Sequence, residues 1–226
     1  MSDFWFIASA WAIPVLLAIT LHEAAHGYAA LRYGDDTAQR AGRISLNPLR
    51  HIHPVGTVLM PGLLLLAGLP AFGFARPVPV NFMALNDPKR DMVWVAAAGP
   101  GANVLMAVTA GLLLNALPLF EGTVQQWVGT ALFAAIQVNV LLAFFNMLPV
   151  PPLDGGRVAV GLLPDSLARR WARIEQFGVL IVFGLILIPF MLSDLFNLDV
   201  NVLAWVLIPV VDFFTSAIAG AFWFNG

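Results

Sequence analysis

His22 and His26 stand four residues apart, with Glu23 beside the first, in the stretch His22-Glu23-Ala24-Ala25-His26. On a helix, residues four apart share a face, so two imidazoles can meet one metal ion while Glu23, turned by about 100°, flanks them. That is the H-E-x-x-H geometry of a zinc hydrolase. The bland alternative is an accidental polar cluster on a wet helix face. No wet face is obvious, because the motif lies near the end of an apolar run that begins at Phe4. Charge and imidazole inside a membrane-length helix are costly and mark functional sites.

A catalytic zinc takes three protein ligands and leaves one position open for water, so a third ligand is required. The chain has no cysteine, so it must come from a carboxylate or imidazole. Asp154 is the leading candidate: it follows the proline-broken stretch Pro149-Val150-Pro151-Pro152 and precedes Gly155-Gly156, which free the backbone to turn the side chain inward. Its structural alternative is an N-cap at an interfacial helix start. Asp212, within the last apolar segment, is the rival ligand. Asp35, Asp36, Asp87, Glu121, Asp165, Glu175, Asp194 and Asp199 read as loop or boundary positions.

The elements that must position these groups are written in the composition. With 226 residues, 60% hydrophobic and 11% charged, and a mean hydropathy of +0.84, the chain has the profile of a polytopic membrane protein. It reads as a single unit over 1–226, with a catalytic core over about 4–163 and C-terminal helices over about 174–223. The net charge of −2 and the lack of a basic block give no sign of nucleic acid, and the partner expected is the lipid bilayer. Met1-Ser2-Asp3 lacks a basic n-region, so the first apolar run is expected to be a retained transmembrane helix.

Spans are expected at Phe4 to about Leu31, Met92 to about Leu119, Trp127 to Leu148, Ile174 to Leu192 and Val200 to Trp223. After the stretch Leu153-Asp154-Gly155-Gly156-Arg157 a short helical piece is expected to run to Leu163, and a strand-like piece is expected from Gly42 to Leu46. All 11 Lys and Arg residues fall in three loops, around Arg32 to Arg50, Arg76 to Arg90, and Arg157 to Arg173. By the positive-inside rule these loops are cytoplasmic, so the apolar stretch Val55 to Phe74 between the first two must enter and return. Irregular backbone at that depth must be shielded by protein or a water cavity, which puts it beside the metal. A hairpin of two short strands is the expected form, with a helical hairpin as the alternative. The fold expected is therefore an all-α polytopic membrane protein with about five transmembrane helices, a re-entrant hairpin near the active site, and the N-terminus outside.

Three motifs in order, H-E-A-A-H at 22–26, G-P-G-A-N at 99–103 and N-M-L-P-V-P-P-L-D-G-G at 146–156, resemble the site-2 proteases, the intramembrane zinc metalloproteases of peptidase family M50. The likeness extends from about Leu21 to Arg157 and is greatest to short members without a PDZ or CBS domain. It implies that His22, His26 and Asp154 hold one Zn²⁺ ion, that Glu23 is the base, and that Asn103 and Asn146 position the substrate strand. The alternative for both asparagines is an interhelical hydrogen bond. The substrate implied is a membrane-spanning protein segment, and the location a multi-pass protein of bacterial inner-membrane type with its active site towards the cytoplasm. Oligomeric state is left open. Where similar short members read H-I-D-P, this chain reads His51-Ile52-His53-Pro54. The two histidines read as a surface loop pair, an accessory metal contact or a pH-sensitive gate.

Two further readings compete. Intramembrane His and Asp could line the path of a metal transporter, but Glu23 beside two ligands suits a general base, and no repeat-related pair of broken helices is evident. An inactive metal-binding scaffold is the other.

Overall fold

The computed structural model describes residues 2–68, 73–196 and 201–222. Where no water can take a backbone hydrogen bond, an apolar run satisfies its own amides by winding into a helix, and the long apolar runs of this chain do so. They form α1 (Ser2–Arg32), α4 (Pro88–Leu113, continued by a 3₁₀ turn at Leu114–Leu119), α5 (Gly122–Asn146), α8 (Gly178–Phe196) and α9 (Val202–Phe222). Shorter pieces lie between them: α2 (Thr37–Arg40), α3 (Met60–Leu66), α6 (Asp154–Leu162) and α7 (Asp165–Ile174). Five helical stretches among the described residues are long and apolar enough to cross a membrane. Leu105, Leu180 and Phe213 are among the large apolar side chains left on the outside, as a bilayer solvent requires. The protein is a multi-pass integral membrane protein. Val200 and Trp223, the bounds of the last expected span, lie outside the described residues.

Helices α1, α4 and α5 pack on one another, α9 covers α5 and part of α4, and α6 lies on α4. The seam is made of small and branched side chains, with Ala107, Ala110, Leu114, Ile136 and Val140 buried together. Small residues let backbones approach where no hydrophobic force separates helix from lipid.

The stretch Val55 to Phe74 departs from the expected strands. Pro54–Leu59 forms a wide π-helical turn that runs into α3, and no strand occurs among the described residues. Proline at the first position, a capping side chain before it, and Met and Leu after it all favour a helix start. The cap is His53, whose Nδ1 accepts the Gly56 N–H at 2.9 Å. At 1.5 Å per residue this helical run is about 20 Å long, short of a ~30 Å hydrocarbon core. The chain comes back to its own start, where the Phe74 N–H donates to Gly56 O at 3.0 Å and Thr57 Oγ1 donates to Phe74 O at 3.0 Å. The segment thus returns to its own start and is helical in its first limb; residues 69–72 of the expected hairpin lie outside the described residues. Gly42 to Leu46 is likewise irregular rather than a strand.

Residues 73–81 are extended, because Pro77 and Pro79 exclude a helix. Side chains and loop backbone from the α1–α3 region hold them in place. The Arg76 N–H donates to His51 O at 2.8 Å, and Arg43 Nη2 donates to Arg76 O at 2.8 Å. Asp35 Oδ2 accepts the Asn81 N–H at 2.6 Å, while its Oδ1 takes the Thr37 N–H and hydroxyl. Asp35, read from sequence as a loop acid, is fully buried.

Candidate metal centre

Helix α1 presents His22 and His26 on one face, and their Nε2 atoms lie 3.0 Å apart. Asp154, the first residue of α6, brings Oδ2 to 3.3 Å from each. All three side chains are buried. Among the described residues this is the one group of three or more His, Cys, Asp or Glu side chains with metal-ligand spacing. Asp154 is no cap: Leu153 holds the cap position, and Asp154 Oδ2 is buried without a hydrogen-bond partner. The rival Asp212 is exposed on α9 and takes no part.

The donor set fits zinc on its own geometry. Four ligands at about 2.0–2.1 Å in a tetrahedron stand about 3.3–3.4 Å from one another, close to the sides of this triangle. The second nitrogens fix the tautomers. His22 Nδ1 donates to Asn103 Oδ1 at 2.6 Å and His26 Nδ1 donates to Val95 O at 2.7 Å, both oxygens that only accept. Each Nε2 therefore carries a lone pair, turned toward the other and toward a carboxylate oxygen. Three acceptors converging in a buried spot call for a cation.

The motif on α4 is explained by the same contacts. A Cβ on Gly99 would lie 2.7 Å from His22 Nε2 and closer still to His26 Nε2, so glycine leaves the room the imidazoles occupy. One turn on, Asn103 is completely buried and faces His22. Its Nδ2 donates to Ala18 O at 3.3 Å and to Asn139 Oδ1 at 2.7 Å, and Asn139 donates to Ala135 O. Asn103 therefore ties α1 to α4 and α5, away from the cavity. Asn139 completes this chain as an interhelical contact, which is what an asparagine in an apolar helix is expected to make. It lies seven residues before Asn146 on the same face of α5. On the other side of the triad, a Cβ on Gly156 would lie 2.7 Å from Pro151 N, so the second glycine lets α6 start hard against the proline loop.

Glu23 lies outside the triangle and lines a cavity of about 760 Å³ together with all three triad residues. Its Oε2 accepts the Val78 N–H at 2.7 Å, so the extended segment crosses directly over it. Asn146 lines the same cavity, and its Nδ2 donates to Leu142 O at 3.0 Å. The walls are otherwise mostly apolar, supplied by α5, α8 and residues 73–82. His51 and His53 are not in the metal cluster: His51 is buried with Nε2 2.8 Å from Ser45 O, and His53 is the cap described above.

Comparison with known proteins gives the family. The model for peptidase family M50 matches residues 117–189. The protein named "Putative zinc metalloprotease YwhC" of Bacillus subtilis is 37% identical over 181 residues, covering 78% of this chain and 80% of its own. Rip2 of Mycolicibacterium smegmatis and Rip2 of Mycobacterium tuberculosis strain H37Rv bear the same description, at 34% and 32% identity, each covering 77% of this chain and 65% of their own. No solved structure gives a significant match. A buried His-His-Asp donor set beside a glutamate, on a chain this similar to those relatives, leads to one conclusion: the protein belongs to peptidase family M50, the site-2 protease family, and is a zinc metalloprotease.

Proposed function

We propose that the chain is an intramembrane endopeptidase that hydrolyses peptide bonds within or next to transmembrane segments of other proteins, with His22, His26 and Asp154 holding Zn²⁺ and Glu23 as the general base. One observation carries the reading: the donor triangle and Glu23 open into a single cavity walled by helices of membrane-spanning length. Bound zinc supplies a water acidified to near neutrality and a Lewis acid for the peptide carbonyl. Glu23 takes the proton from the attacking water at its carboxylate and returns it to the leaving amine. Asn103 orients His22 by holding its Nδ1–H, so it acts on the ligand rather than on substrate. Asn146, on the cavity wall, remains the candidate for substrate contact.

An amide inside a transmembrane helix is shielded by its own hydrogen bonds, so the substrate must unwind before it is cut, and its freed backbone needs a partner. The helical limb 54–66 offers no strand edge. The segment 73–81 lies over the site instead, with its Val78 N–H on Glu23. Entering substrate displaces or pairs with that segment. Location in a bacterial-type inner membrane with the site towards the cytoplasm rests on the clustering of Lys and Arg.

The test is co-expression with a panel of tagged single-pass membrane proteins, comparing the native chain with Glu23→Gln. Product from the native chain alone supports the reading, and equal product from both removes it. Zinc analysis of His22→Ala and Asp154→Ala tests the ligands independently, each variant being expected to purify with its metal lost.

A further inference from the structure

Arg157 supplies the sole Lys or Arg side chain on the described wall of the catalytic cavity. It stands one helical turn beyond Asp154 on α6, so it faces the same space as the triad. The guanidinium carbon lies 5.0 Å from the centre of the Phe82 ring, over its face. Nη2 donates to Glu175 Oε1 at 3.2 Å, an ion pair in which the side chains are 35% and 45% exposed. An exposed pair held through one nitrogen is weak. Nε is buried and has no hydrogen-bond partner.

The charges of the cavity make this cation unusual. With a divalent ion bound, the carboxylates of Asp154 and Glu23 balance it, and the guanidinium remains as a surplus that Glu175, outside the cavity lining, meets only at its edge. The other walls are largely apolar and suited to a hydrophobic segment. A carboxylate on that segment would be stripped of water on entry, at a cost relieved only by a hydrogen-bonding cation. A guanidinium over an aromatic ring is well suited to this, since it can grip a carboxylate through two N–H groups.

We infer that Arg157 is a specificity residue that selects membrane segments carrying an Asp or Glu side chain close to the bond that is cut. The inference rests on the proteolytic reading above and adds the chemistry of the substrate. The Glu175 contact is the resting partner, exchanged for the substrate carboxylate on binding.

The test uses the full chain and a tagged single-pass protein that it cleaves, in which Asp or Ala is scanned one position at a time through the membrane segment and its flanks. The readout is the ratio of kcat/KM for Asp over Ala at each position. The native chain is expected to favour Asp about tenfold or more at one or two adjacent positions, and Arg157→Gln to bring that ratio to about one. Glu175→Gln, which removes the competing carboxylate, should preserve or raise it. Arg157→Glu should reverse the preference toward a Lys at the same position, a rescue that loss of a merely structural tether cannot give. Photo-crosslinking of the same segments to Glu23→Gln, with and without the Arg157 change, reads binding without turnover, so it decides the inference even if the hydrolytic assignment fails. No Asp preference in the native chain, or a preference unchanged in Arg157→Gln, overturns it. So does an effect that, when chain and substrate are reconstituted in vesicles with and without anionic lipid, follows the lipid rather than the segment.

Discussion

Replacing Gly99 with alanine adds one methyl group at the point where α4 touches both imidazoles. The new Cβ would start 2.7 Å from His22 Nε2, whereas ordinary contacts run from 3.4 to 4 Å, so the gap must widen by at least about 0.7 Å. Neither neighbour can yield easily, because both rings are held at Nδ1, by Asn103 Oδ1 and by Val95 O, the latter on α4 itself. Metal sites tolerate distance errors of about 0.2 Å, and a displacement near 1 Å in a catalytic constellation costs about 100-fold in rate. Overpacking of this kind destabilises by about 1–3 kcal/mol, which a membrane domain can survive. The expected result for Gly99→Ala is a folded protein with reduced zinc content and turnover lowered about 100-fold. Gly101→Ala is the matched control: it lies two positions on in the same helix, gains the same helix propensity, and its Cβ would meet nothing within 4 Å. Zinc measured by mass spectrometry on detergent-purified protein, with cleavage of a tagged segment, separates the two. Equal zinc and turnover in both variants would refute the packing argument.

Other expectations follow from the contacts around the site. Asn103→Ala leaves His22 Nδ1 without its acceptor and should weaken zinc affinity about 10- to 100-fold, whereas Asn146→Ala should keep its zinc and lose cleavage; competition with a metal chelator reads the difference. His53→Ala removes the cap of the re-entrant turn and should cost about 1 kcal/mol in a thermal melt, while His53→Asp keeps an acceptor for the Gly56 N–H and should cost little. Burial pushes the Asp35 carboxyl up, but the Thr37 hydroxyl, the Thr37 and Asn81 N–H groups and nearby Arg40 outweigh it and hold the group below the usual aspartate range. A lowered folded value means that its stabilisation is present above the unfolded value of about 4 and is lost as pH falls through the folded one. The melting temperature of the native chain should therefore fall more steeply than that of Asp35→Asn as pH drops below about 4.

Much of the fold was legible because membrane helices are specified locally. Run length, the prolines and the grouping of Lys and Arg gave the five spans and the return of the 55–74 segment. The form of that segment is not legible, and strands are favoured over the helical hairpin that is the alternative, since glycine and proline spacing signals a break without stating which backbone follows it. The helix there is decided by the His53 cap and by a run of Met and Leu. Asp35 also escaped notice, because its partner Asn81 lies 46 residues away and a buried anchor cannot be told from a loop acid by position.

The boundary between what the sequence determined and what the tertiary structure decided runs along the same line. Two histidines four apart on an apolar helix must share a face and bring Glu23 with them, because helix periodicity is a covalent and local property. That Asn103 turns to His22 instead of the cavity, and that Val78 closes over Glu23, depend on how α1, α4, α5 and α6 pack. Those choices are made by residues tens of positions apart, through contacts such as the room that Gly99 leaves, and no local spacing encodes them.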